Sequence, residues 1–168
     1  MNNSLAPTLL PPTHGTVFHA FGEQLTIKLG TAETNGSFAL CSELTPPGGG
    51  PPLHFHLHED ELFVVQEGRV SFCIDRTWTE LKPGGVAFVP RGAIHTFRNT
   101  GDLPCRQWVL TTPAGFEVFF ARCAAEFAKP DGPDMARIMA ISAEHGIHLV
   151  ADQADVVPVL PARAAAPG

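Results

Sequence analysis

The sequence predicts an all-β sandwich or barrel followed by one or two helices near its C-terminal end. Short apolar segments with period-two alternation recur between turn signals, and helical periodicity is absent before residue 114. The length of 168 residues suits a single domain with a proper core.

Candidate strands cover residues 16–21, 25–30, 37–44, 61–66, 69–75, 86–89, 95–99 and 107–111. Between them lie TPPGGGPP at 45–52, Glu67-Gly68, KPGG at 82–85 and NTGD at 99–102, all turn-forming chemistry. The first two strands are expected at an edge, where they need cover. The period then lengthens, and residues 114–127 and 134–145 read as helices. In the second, Pro133 is expected in the first turn, Ile138 and Ile141 share a face, and Gly146 is placed as a stop. Both helices are expected to cover an open end or outer face of the barrel. The resulting division is an N-terminal arm at 1–15, a barrel at 16–112, a helical extension at 113–157 and a loose Pro/Ala-rich tail at 158–168.

Composition narrows the partners. Eleven basic residues against 17 acidic ones give a net charge of -6, without the basic stripe that neutralises phosphates, so no nucleic-acid partner is expected. No run approaches the ~20 apolar residues of a membrane span, and the opening MNNSLAPTLLPP lacks a positive n-region and a long apolar h-region. A soluble cytoplasmic protein is expected. Cys41, Cys73, Cys105 and Cys123 show no paired spacing and sit mostly in apolar runs, as free buried thiols do.

Two glycine-bracketed runs carry the chemistry. The first is Gly48-x5-His54-x-His56-x4-Glu61-x6-Gly68 and the second is Gly84-x5-Pro90-x-Gly92-x2-His95-x3-Asn99. In a strand, residues i and i+2 face the same side, so His54 and His56 can aim at one ion. Glu61 lies an odd step away, and Glu59-Asp60 suits the turn that would bring its carboxylate to the same point. His95 follows the Pro90-Arg91-Gly92 corner, so four ligands are expected to converge from two hairpins. His58 also stands at i+2 from His56, and spacing alone leaves it open in place of His54. His14, His19, His145 and His148 lack partners at metal spacing. Three imidazoles and a carboxylate suit one divalent transition metal ion (iron, manganese, nickel, cobalt, copper or zinc) rather than calcium or a thiolate-seeking ion.

The paired runs resemble the motifs of the cupin superfamily. The likeness covers residues 48–99 most directly and implies a single-barrel (monocupin) double-stranded β-helix, or jelly roll, with His54, His56, Glu61 and His95 as metal ligands. Gly85 departs from the acidic residue many cupins carry after the turn glycine, at a position that is not a ligand. PPLHFHLHEDELF at 51–63 and TPAGFEVFF at 112–120 are similar to the quercetin 2,3-dioxygenase-like cupins. The family also implies a homodimer that pairs or swaps edge strands.

Twelve Phe, two Trp and no Tyr make an interior that is aromatic but poor in phenolic donors. Alternation puts Phe63 with Glu61 and Phe97 with His95, and it offers Phe38/Leu40 and Phe72/Ile74 as inward neighbours. Phe38, Phe63, Phe72 and Phe97 are the expected substrate-pocket residues. The leading functional expectation is a metal-dependent dioxygenase acting on a small aromatic enol such as a flavonol or diketone, with Glu61 as the catalytic proton acceptor. A non-catalytic small-molecule-binding or orphan metal-binding barrel is the alternative. A sugar isomerase or epimerase ranks third, because polar side chains beyond Arg106 and Gln107 are scarce near the motifs.

Overall fold

The computed structural model describes residues 5–150. The expected tail at 158–168, and 151–157 of the expected helical extension, lie outside them. In chain order the elements are β1 (Thr16–Ala20), β2 (Glu23–Leu29), α1 (Thr31–Thr34), β3 (Ala39–Thr45), β4 (His54–His56), β5 (Asp60–Glu67), β6 (Val70–Ile74), β7 (Thr77–Leu81), β8 (Val86–Val89), β9 (His95–Asn99), β10 (Cys105–Thr112), α2 (Phe116–Phe127), α3 (Met135–Glu144) and β11 (Ile147–Leu149).

The strands form two antiparallel sheets, ordered β1-β2-β3-β10-β5-β8 and β11-β4-β9-β6-β7. This is a double-stranded β-helix with C-terminal helices. Its core includes Leu25, Val65, Val70, Phe72 and Val89, each no more than 2% exposed. Fully burying such a side chain contributes about 1.5–3 kcal/mol. All four cysteines are free and buried.

Several expectations need correction. Residues 25–30 do not form an edge, because β2 lies between β1 and β3. On β3 the inward row is Ala39, Cys41, Glu43 and Thr45, not Phe38 and Leu40. The outer face of β3 is itself apolar, since Leu40 and Trp108 share a hollow there with Leu10 and Pro11 of the N-terminal segment. That segment is tied down by Lys28, whose Nζ donates to the carbonyl of Pro12 at 2.6 Å. Pro133 precedes the second helix rather than lying in its first turn. Asp134 takes the cap, accepting from the amides of Ala136 and Arg137 at 2.9 and 3.1 Å. Gly146, at φ 71°, does follow that helix as its stop.

The loop at 45–52 has a precise fit. Gly50 takes φ 148°, and a Cβ there would stand 2.0 Å from the carbonyl oxygen of Phe97. The backbone of Gly48 and Gly49 exchanges hydrogen bonds with Asn99 at 2.9 Å each. The Asn99 amide then donates to the carbonyls of Thr45 and Leu103. The loop before His54 is thereby locked to the strand that carries His95.

Candidate metal centre and cavity

His54 and His56 alternate with Phe55 on β4, so both imidazoles point inward while Phe55 turns outward to stack on His148, ring centroids 5.1 Å apart. His54 and His95 are direct partners across β4 and β9. Glu61 arrives from the other sheet, so the expected two hairpins are not what assembles the site. Between His56 and Asp60 the chain crosses from one sheet to the other, because β4 pairs with β9 and β11 while β5 pairs with β10 and β8.

One ligand atom from each of His54, His56, Glu61 and His95 lies within 4.8 Å of the others. The four residues are between 1% and 9% exposed. Each imidazole is oriented through Nδ1. His54 and His95 donate to the carbonyls of Pro52 and Ala93 at 2.8 and 3.0 Å, and His56 faces a carboxylate oxygen of Glu59 at 3.4 Å. These bonds assign the Nε2 lone pairs to the centre.

The Nε2 atoms of His56 and His95 and Oε2 of Glu61 are buried without an aligned hydrogen-bond partner among the described residues. Glu61 Oε2 nevertheless lies 2.8 Å from His95 Nε2 and 3.5 Å from His56 Nε2. Converging lone pairs with no aligned donor between them fit a cation, and the residues present suit the metal the motifs imply. Burial, followed by the charge of neighbouring His95, lowers His54 to about 3. Burial alone would raise Glu61, but the facing imidazoles outweigh it and hold the carboxyl at about 2. For His56 burial pulls downward, and Glu61 and Glu59 more than offset it.

A second lock sets the relative position of Glu61 and His95. Arg91 forms a two-pronged pair with Asp60, Nε to Oδ1 and Nη2 to Oδ2, each at 2.9 Å, and its backbone amide adds a third contact at 2.8 Å. At the same corner the amide of Gly92 donates to the carbonyl of His56 at 2.7 Å. The corner therefore holds all three ligand strands.

His54, His56 and Glu61 line a cavity of about 130 Å³. Phe63 and Phe97 line it, Phe72 packs behind them with centroids 5.2 and 5.7 Å away, and Phe38 lies outside it. Phe116, Phe119 and Phe120 of α2 complete the wall, with Ile138 of α3 and Ile147 of β11. The helices thus close the end of the barrel above the donors. A larger hollow of about 820 Å³ beside β1 and α2 is open to solvent and contains none of the four donors. His58 is exposed, which resolves the open spacing in favour of His54. Arg106 faces outward, 3.7 Å from Glu67, whereas Gln107 is buried.

Glu59, read from sequence as a turn residue, is instead buried against His56. Its signal was the i, i+3 spacing from His56. Phe116, Phe119 and Phe120 could have been found from their i, i+3, i+4 pattern, which puts all three on one helical face. Glu23 and Glu43 also line the cavity, and only strand parity pointed to them.

A match in sequence now accompanies this geometry. Residues 43–111 match the cupin domain family. That match and the barrel together support the cupin superfamily. Among solved structures, this barrel is similar to a predicted oxalate decarboxylase from Thermotoga maritima, with 20% identity, 63% of this chain and 99% of that one covered, and a TM-score of 0.58. The polyketide cyclase RemF from Streptomyces resistomycificus gives 24% identity, coverage of 64% and 80%, and a TM-score of 0.56. At these identities the likeness is one of fold.

Oxidoreductase OpS7 of Beauveria bassiana is 51% identical over 49 residues, 29% of this chain and 16% of that protein. An uncharacterized protein of Aquifex aeolicus is 38% identical over 50 residues, 30% of this chain and 41% of its own length. The chain spans at most about half of the curated relatives it matches, between 16% and 54% of their length. No helix among the described residues is long and apolar enough to cross a membrane.

Proposed function

We propose that this cupin is a metal-dependent dioxygenase acting on a small, enol-bearing aromatic or diketone substrate. The observation that carries the reading is the convergence of three imidazoles and one carboxylate at the side of a phenylalanine-walled cavity that His54, His56 and Glu61 line. A bound redox-active ion would supply the site at which the substrate oxygen and dioxygen are brought together. The chain's own residues do the rest. Phe63 and Phe97 hold a flat substrate, α2 and α3 exclude water, and Glu61, ionised across the neutral range, accepts the enol proton. Two matched relatives carry oxidoreductase names, OpS7 and iacF, in keeping with this chemistry.

Volume selects within the substrate class. A cavity of about 130 Å³ compares with the ~150 Å³ cavity that admits benzene and falls short of the ~300 Å³ at which pockets for larger ligands begin. A diketone or single-ring enol fits, whereas a three-ring flavonol requires α2 and α3 to move. Oxygen uptake tests the proposal, using protein reconstituted in turn with iron, manganese, nickel, cobalt and copper against diketones and flavonols. Uptake is expected with the smaller substrates, and no turnover with any metal contradicts the reading.

A non-catalytic binding module is the second reading, in keeping with a likeness to solved structures that is one of fold alone. Ligand-dependent melting without product formation would decide for that alternative. The homodimer belongs to the same proposal. Strand β1 has one unpaired edge among the described residues, with Val17 48% exposed on it. Sedimentation is expected to give twice 18.0 kDa, and a monomer at micromolar concentration removes the dimer.

A further inference from the structure

The cavity has a second polar pole. Glu23 and Glu43 line it together with His54, His56 and Glu61, and both are 5% exposed. The two carboxyls are neighbours, and the charge of Glu43 adds to burial in raising Glu23. Gln107 Nε2 donates to Glu43 at 2.7 Å, and Thr45 Oγ1 donates to Glu23 at 3.2 Å. Gln107 is fully buried on the same inward face, and its Oε1 has no partner among the described residues. No lysine or arginine lines the cavity. Two carboxyls buried without a cation are costlier than an apolar pair filling the same space, so packing alone does not account for them.

Strand register places this group away from the metal donors. Across β3, β10 and β5 one row reads Glu43, Gln107, Val65, while the row holding Glu61 reads Ala39, Thr111, Glu61. Between them runs an apolar row of Cys41, Val109 and Phe63. Four residues along the strand at ~3.3 Å and two strand spacings at ~4.8 Å separate the Cα atoms of Glu43 and Glu61 by roughly 16 Å. The two side chains shorten that span, and both poles reach one cavity.

The geometry points to a hydroxyl-binding subsite, formed by Glu23 and Glu43 with Gln107 positioning Glu43 from behind, that holds the end of the ligand remote from the four metal donors. A hydroxyl both donates and accepts, which matches two neighbouring carboxyls of which one is protonated. A carbonyl could only accept, and an ammonium would require the pair to ionise. Burial pushes both carboxyls upward, Glu43 to about 7, which favours the protonated form of the pair. The inference rests on the proposed enol-binding reading for the orientation of the ligand, and it makes Glu43 and Glu23 specificity residues for a ligand with polar groups at both ends.

Calorimetric titration of the zinc-loaded full chain with benzoylacetone and para-hydroxybenzoylacetone tests it, since zinc supports binding without oxygen chemistry. Wild type is expected to bind the hydroxylated compound about tenfold or more tightly than the parent, the scale of one charge-assisted hydrogen bond. Glu43→Leu should reduce that preference to within about threefold while retaining affinity for benzoylacetone. Glu43→Gln, which keeps the volume and protects against a folding failure, should reduce it by at least about threefold. Equal affinities in wild type, or a preference unchanged in both variants, overturn the subsite. The His54→Ala/His56→Ala variant separates the two ideas. If it still binds both compounds and keeps the hydroxyl preference, the enol-binding reading fails and the subsite stands. If wild type binds neither compound, both fall.

Discussion

Glu59 shows how much one buried side chain can do beside a ligand. Its carboxylate faces Nδ1 of His56 and orients the ring whose Nε2 joins the other donors. Glu59→Ala should leave the fold intact and weaken metal affinity by about 10–100-fold, measured by competition with a chromophoric chelator. Unchanged affinity would remove Glu59 from the account. Glu43 makes a different prediction, in pH. Its folded value near 7 lies above the ordinary 4.5, so its protonated form stabilises the fold below 4.5 and that stability is lost as pH rises through 7. At ~1.4 kcal/mol per unit the loss is about 3 kcal/mol, and Glu23, raised as well, acts in the same direction. His54, lowered to about 3, acts in the opposite direction in both proteins, so the test is the difference: in urea unfolding of metal-free protein the stability of wild type relative to Glu43→Gln should fall by this amount between pH 4.5 and 7. The four converging donors were legible in the sequence because coordination imposes spacing on them. Glu59 and Glu43 were not, because a single acidic residue in a turn or strand carries no periodic signature.

At the scale of elements, α2 and α3 act as the lid of the cavity. Ile138 is 1% exposed and is both core and cavity wall, so Ile138→Ala should cost about 2–5 kcal/mol in urea unfolding. Loss of the Asp134 cap in Asp134→Ala should cost only about 1 kcal/mol, and an equal cost for the two would contradict the helix's role as a packed lid. The helices could be read from the sequence because their period changes. Strand β7 could not. It follows β6 through Asp75 and Arg76, at φ 49° and 62°, a tight two-residue turn that usually carries Asn-Gly or Asp-Gly. Its residues Trp78 and Leu81 also break the two-residue alternation. Strand β11 has three residues and owes its existence to pairing with β4, a tertiary contact no local pattern announces.

For the molecule as a whole, paired glycine-bracketed runs were enough to indicate a double-stranded β-helix, because each glycine turn and each inward donor is required by the closure of two sheets around one point. The sheet order was less accessible. Strand β2 looked like an edge because its length and alternation do not reveal that β1 pairs outside it. The size of the cavity was inaccessible too, since it depends on how far three phenylalanines of α2 enter the barrel. The central claim is that His54, His56, Glu61 and His95 hold one metal ion. Elemental analysis of protein purified without added metal tests it most directly, run beside the His54→Ala/His56→Ala variant. Close to one equivalent of a transition metal is expected in wild type and none in the folded variant, whereas stoichiometric metal retained by the variant would contradict the assignment.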